Sequence, residues 1–228
     1  MEIEKEISNS SDYKEYFSTK IIQNKDVLTK TLEHALEVRK FEIELYWKRT
    51  TYFWAFIASS FAGYFVAINS DSFKELTIII SLIGLLFSIG WYLANRGSKY
   101  WQKNWETHVD MLENDELGPL FATILNPTTI KFNKITREYP FSVSKINQIL
   151  SFSIVLIWIY ILSYSLDYTY EILTNDLIKT LLNCGSFLVI FIWTLVLFIR
   201  DSETGLSKEL KKAVNEKQSN ILLISRKK

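Results

Sequence analysis

Few side chains here are spaced for catalysis. The chain holds two histidines, His34 and His108, and one cysteine, Cys184. One grouping has the right atoms: His108, Asp110 and Glu113. An imidazole with two carboxylates could exchange a proton or hold a divalent metal. The spacing works against it, because on a helix positions 110 and 113 share a face while 108 and 110 do not. These groups read more simply as polar side chains beside an aromatic helix face. Cys184 has no second cysteine to pair with, so it forms neither an intrachain disulfide nor a metal-binding pair, and it reads as a small apolar packing residue. There is no HExxH, P-loop, GxSxG or glycine-rich dinucleotide turn. The residues therefore predict no enzyme, no cofactor and no metal. A membrane-bound enzyme using His108 is the weakest of three functional readings.

The elements that would carry these residues are unusual. Of 228 residues, 48% are apolar and 22% charged, ordinary values for a soluble domain. The distribution is not ordinary. The runs 50–70, 76–95, 146–166 and 180–199 contain no Lys, Arg, Asp or Glu. A helix needs roughly 20 apolar residues to cross about 30 Å of hydrocarbon, so four transmembrane helices are predicted. The fold class is all-α, a polytopic membrane protein with helices 1 and 2 extended into a cytoplasmic helical region. The expected organisation is a cytoplasmic arm over 1–49, helical from about residue 31, then a transmembrane hairpin over 50–95. A cytoplasmic helical segment over 96–145, a second hairpin over 146–199 and a basic cytoplasmic tail over 200–228 follow.

Orientation follows from Lys and Arg. Segments 1–49, 96–145 and 200–228 hold 9, 7 and 8 of the 26, against Lys74 and Lys179 alone in the two remaining connections. Cytoplasmic segments carry this excess, which places both termini inside. The first span begins too late for a cleaved signal peptide. Tyr46, Trp47, Tyr52, Trp54, Trp91, Tyr92, Tyr164, Tyr168 and Tyr170 flank span ends, where aromatic rings favour the headgroup level. Trp158 sits in mid-span and is expected to pack between helices.

No proline or glycine interrupts Thr31–Ala62, and no proline interrupts Leu76–Leu117. Each reads as one long helix; 42 residues at 1.5 Å reach about 63 Å, twice what the bilayer needs. Beyond the second span, Trp101, Trp105, His108 and Leu112 share a face, expected to pack on the arm or on a neighbouring subunit. Gly118-Pro119 ends that helix. Leu117–Ile130 then reads as a short apolar helix between turns, 128–139 as a weak strand-like alternation, and Ser142 or Ser144 as the opening of span 3. Leu206, Leu210 and Val214 suggest a short amphipathic helix in the tail, and Arg226, Lys227 and Lys228 a basic end able to touch anionic lipid.

Helices associate in lipid through small residues. Ala55, Ser59, Gly63 and Ala67 form an i+4 stripe on span 1, and Ser81, Gly84 and Ser88 lie on span 2. They are expected to join these two spans or to line a subunit contact. With Trp101, Trp105 and Leu112, they are the candidate packing and oligomer residues. No ionisable Asp, Glu, Lys, Arg or His lies within a span, which argues against proton-coupled carriers, pumps and voltage sensors. A weakly polar pore between subunits stays open, with Ser59, Ser60, Ser81, Ser88, Ser153, Asn183 and Ser186 as candidates. The net charge of +1, without a basic stripe, argues against nucleic acid as a partner.

The stretches LEHALEVRKFEIELYWKRTTYFWAFIASSFAGYF (Leu32–Phe65) and NRGSKYWQKNWETHVDMLENDELGPLF (Asn95–Phe121) resemble the bacterial RipA-family octameric membrane proteins. The resemblance covers about residues 30–125. It implies a cytoplasmic-membrane protein that assembles with copies of itself, as an octamer by the family's description, and it implies no catalytic residues. The leading functional reading is a non-enzymatic homo-oligomer of the bacterial inner membrane, a scaffold or channel-like assembly. The second is a membrane-permeabilising effector in stress or phage defence, gated by a cytoplasmic signal. The expected partners are the chain itself, membrane lipids and a cytoplasmic protein.

Overall fold

The computed structural model describes residues 11–13, 15, 25–116, 118, 120, 123–125, 139–170, 176–201 and 223–225. The uninterrupted stretches give long helices. Helix α1 runs over Lys25–Ile68, 44 residues without a break. A 3-10 turn at Asp71–Phe73 links it to helix α2, Leu76–Glu116, of 41 residues. Thr77 Oγ1 donates to the carbonyl of Lys74 at 2.6 Å, tying the turn to the start of α2. Past the end of α2, Gly118 has φ +69°, the left-handed conformation in which a residue with a Cβ is strained. Helix α3 covers Val143–Tyr170 and helix α4 Asp176–Asp201. Ser142 Oγ accepts from the backbone N–H of Lys145 at 3.4 Å, so Ser142 caps α3. All four helices are long and apolar enough to cross a bilayer, and the fold is all-α, as the charge-free runs predict.

One small element departs from expectation. Thr123–Leu125, read in sequence as part of a short helix, is strand β1, paired antiparallel with strand β2, Leu223–Ser225. Thr123 faces Ser225 and Leu125 faces Leu223. The reason is non-local: Thr-Ile suits a pleated strand, and a partner from far along the chain satisfies its backbone. The alternation at 128–138, Asn126-Pro127, the helix pattern at Leu206, Leu210 and Val214, and the basic end Arg226–Lys228 lie outside the described residues.

Contacts divide the chain into two units. The first takes the described residues of Met1–Leu45, Lys99–Tyr139 and Leu206–Lys228; the second takes those of Tyr46–Ser98 and Pro140–Gly205. In the first, Leu28, Leu32 and Ala35 of α1 follow the i, i+4, i+7 spacing of one helix face and meet Val109 and Leu112 of α2 and Tyr13 in a buried cluster. In the second, α1, α2 and α3 share a buried interior. Among the described residues of α4 none is buried, so α4 lies at the margin of its unit.

Candidate functional site

The interior of the second unit is layered. At mid-depth Trp158 of α3 is fully buried, with 0% exposure. It stacks on Phe61 of α1 at 4.5 Å between centroids and meets Tyr64 edge-on at 6.3 Å. Its indole lies flat against Gly84 of α2, where a Cβ would collide with the ring. Gly84 is thus the space into which a tryptophan fits. The Trp158 Nε1 and Trp91 Nε1 groups are buried without a hydrogen-bond partner, so shape and not polarity fixes both rings.

Polar layers flank this one. Toward the connection between α1 and α2, Ser165 Oγ of α3 lies 3.1 Å from Ser81 Oγ of α2 and 3.2 Å from the Tyr64 hydroxyl of α1. Toward the Lys/Arg-rich end, the Asn147 amide of α3 lies 2.6 Å from the Tyr46 hydroxyl, 3.3 Å from Thr50 Oγ1 and 3.4 Å from Asn95 Oδ1. Its two N–H groups are shared among these three acceptors. The Asn95 amide in turn donates to Ser151 Oγ at 3.2 Å and to the Asn147 carbonyl at 3.4 Å. Beyond this cluster Arg49 donates to buried Ser98 at 3.0 Å. Each layer joins α1, α2 and α3, and buried polar groups satisfied in this way fix helix register. Sequence reasoning passed over Asn95, Asn147 and Thr50. The available signal was a pair of amides just inside the ends of charge-free runs.

Helix α4 packs along α3, and two polar side-chain pairs join them. Thr194 Oγ1 donates to Ser153 Oγ at 3.1 Å. Near the start of α4 Lys179 Nζ lies 2.7 Å from Asp167 Oδ2, and that carboxylate raises the pKa of the ammonium above its usual value. The opposite face of α4 is apolar and exposed, with Leu177, Leu181, Val189 and Ile199 each more than 60% exposed.

The predicted packing residues separate into two sets. Ala67, Ser81, Gly84 and Ser88 are buried, and Gly63 is half-buried with Ile80 of α2 beside it. Ala55 and Ser59 face outward. The face of α2 carrying Gly84 receives α3, whereas α1 meets α2 through larger rings, with Phe56 stacked on Phe87 at 4.8 Å and Trp54 edge-on to Trp91 at 6.2 Å. Ser59, Ser60, Ser88 and Ser153 donate to carbonyls four residues back in their own helices, and Ser186 to Asn183. Two aromatics expected at the headgroup level, Tyr46 and Trp91, are buried instead, because each closes a helix contact.

In the first unit Leu112 is buried, Trp105 is partly buried against the same cluster, and Trp101 is 53% exposed. His108 Nδ1 lies 2.9 Å from the Tyr13 hydroxyl, with the Trp105 ring 5.3 Å away. Burial lowers the His108 pKa below its ordinary value and raises that of Tyr13 to about 12. Among the described residues no group of three or more His, Cys, Asp or Glu could hold a metal ion.

Four membrane-length helices and an interlocked three-helix interior define a multi-pass α-helical membrane protein. The chain belongs to the octameric membrane protein family (8xMP), whose model matches residues 29–166, more than half of its length. The resemblance seen over residues 30–125 is borne out and extends through span 3. The family assembles with copies of itself, and this chain is a homo-oligomeric membrane protein. No curated protein and no solved structure matches it. The matched residues end at Leu166, so they include the buried three-helix interior and stop before α4.

Proposed function

We propose that the protein is a non-enzymatic assembly of the bacterial inner membrane, a scaffold of several copies with both termini and the first unit in the cytoplasm. One observation supports it most: the interior of the protomer is closed while its apolar outer faces are open. Trp158 fills the axis of α1, α2 and α3, and the polar side chains around it bond to one another. A pore through a single protomer is thereby blocked, so any conducting path runs between subunits. Phe65, Val66 and Leu86, each more than 60% exposed, offer apolar area to lipid or to a neighbour. The small outward residues Ala55 and Ser59 would let another helix approach closely.

The test is the mass of the protein in nanodiscs, by native mass spectrometry or light scattering, followed by single-channel recording. A discrete multimer without conductance is the expected scaffold. A multimer that conducts makes the assembly channel-like, and a monomer at every concentration overturns the reading. Forced expression that depolarises cells and arrests growth would instead favour the permeabilising effector.

A further inference from the structure

Between α2, α3 and α4, within the second unit, lies a cleft of about 470 Å³, in the size range of small-molecule sites. Its lining is graded by depth. Arg96, Lys145 and Asp201 line the cleft and mark the end next to the charged segments, its mouth. Arg96 directly follows one charge-free run, Lys145 directly precedes another, and Asp201 lies two residues past a third. Three helices therefore bring their membrane boundaries to one opening. About one turn deeper on each helix stand Tyr92, Gln148 with Ile149, and Leu197; about two turns deeper stand Phe152 and Trp193. Charge at the rim, an amide below it and an apolar floor about 10 Å down repeat the order of phosphate, glycerol and acyl chain in a phospholipid.

The charges select among lipids. The Arg96 guanidinium lies 5.7 Å from the Tyr92 ring centroid, along the cleft wall. Its planar fork of donors matches the geometry of a phosphate. The Asp201 carboxylate shares the mouth and lies 3.3 Å from Arg200 Nε. Among the described lining residues two side chains are cationic and one is anionic, a balance that favours an anionic headgroup over a zwitterionic one. We infer that this cleft binds an anionic glycerophospholipid, its phosphodiester between Arg96 and Lys145 and one acyl chain against Phe152 and Trp193.

Two measurements on the assembled full-length protein test this. In native mass spectrometry, phosphatidylglycerol is expected to stay bound where phosphatidylcholine is lost. Arg96→Gln and Lys145→Gln should each weaken retention by about fivefold, as expected for one basic group at a lipid surface. In nanodiscs of the unaltered protein, phosphatidylglycerol brominated on its acyl chain should quench Trp193 at a lower lipid fraction than brominated phosphatidylcholine does, with Trp193→Phe identifying that share of the emission. This second measurement decides the matter if a substituted protein fails to fold. Equal retention of both lipids, unchanged by either substitution, would reduce the cleft to ordinary annular contact. Displacement of phosphatidylglycerol by inorganic phosphate would make it a site for a soluble anion. Trp193 emission indifferent to either lipid would show the cleft covered by a neighbouring subunit. Each of these three results overturns the proposal.

Discussion

Gly84 and Trp158 set how closely α2 approaches α3, and the side-chain hydrogen at Gly84 is what permits it. Gly84→Ala forces the indole aside and should cost about 1–3 kcal/mol, the usual range for overpacking. Gly185→Ala is the control, since nothing lies within 4 Å of a Cβ there. Thermal unfolding in detergent separates the two, and Trp158→Phe should restore part of the loss by making room. Asn147→Leu removes one donor from Tyr46, Thr50 and Asn95 together. Interhelical hydrogen bonds in membranes average about 0.6 kcal/mol, so a loss of about 1–2 kcal/mol is expected by the same measurement, with Asn147→Gln intermediate. At this scale the sequence was half legible. Gly84 stands out as a small residue in a span and Trp158 as a ring too deep for the headgroup level. That one fits against the other could not be read, because helix rotation decides which small residue meets which ring. Tyr46 and Trp91 misled for the same reason: a residue near a span end reads as an interface anchor until a neighbouring helix covers it.

Helices divide into those that build the interior and the one that borders it. Helix α4 contributes no buried residue among those described and lies beyond the family match. A chain ending after Tyr170 is expected to keep the α1–α3 interior, its unfolding midpoint in detergent within a few degrees of the full protein. A collapse of that midpoint would show that the packing of α4 on α3 supports the interior. The far part of α2 carries a pH dependence. Burial holds the His108 pKa below its ordinary 6.5, so the unfolded chain takes up the proton before the folded unit does. Stability of the first unit therefore levels off above about pH 6.5 and falls as the pH drops through the folded pKa. Tyr13, raised to about 12, stays neutral throughout this window. Hydrogen exchange of the Trp105–Leu112 amides from about pH 7.5 to about pH 5 should show this fall, and His108→Gln should flatten it. Helix lengths were legible because nothing in the sequence interrupts them. The β1–β2 ribbon was not, since Thr123–Leu125 shows no sign of a partner that comes so much later.

For the whole molecule the prediction concerns assembly. If the outward part of the span 1 stripe lies between subunits, Ala55→Leu with Ser59→Leu should lower the assembled mass while leaving the protomer's unfolding midpoint unchanged; an unchanged mass would place the contact elsewhere. Gly84→Ala should do the reverse, lowering the midpoint with the subunit number kept wherever the protein remains folded. The ribbon of β1 and β2 has a consequence at this scale too. Its strands precede α3 and follow α4 in the chain, yet they hydrogen-bond to each other. A chain that leaves a compartment and returns to pair there has passed through the membrane an even number of times, which is a parity rule independent of any charge count. It also sets a sequence of events during synthesis. Strand β1 leaves the ribosome with an open edge, two membrane helices are threaded, and only then does β2 arrive to close it.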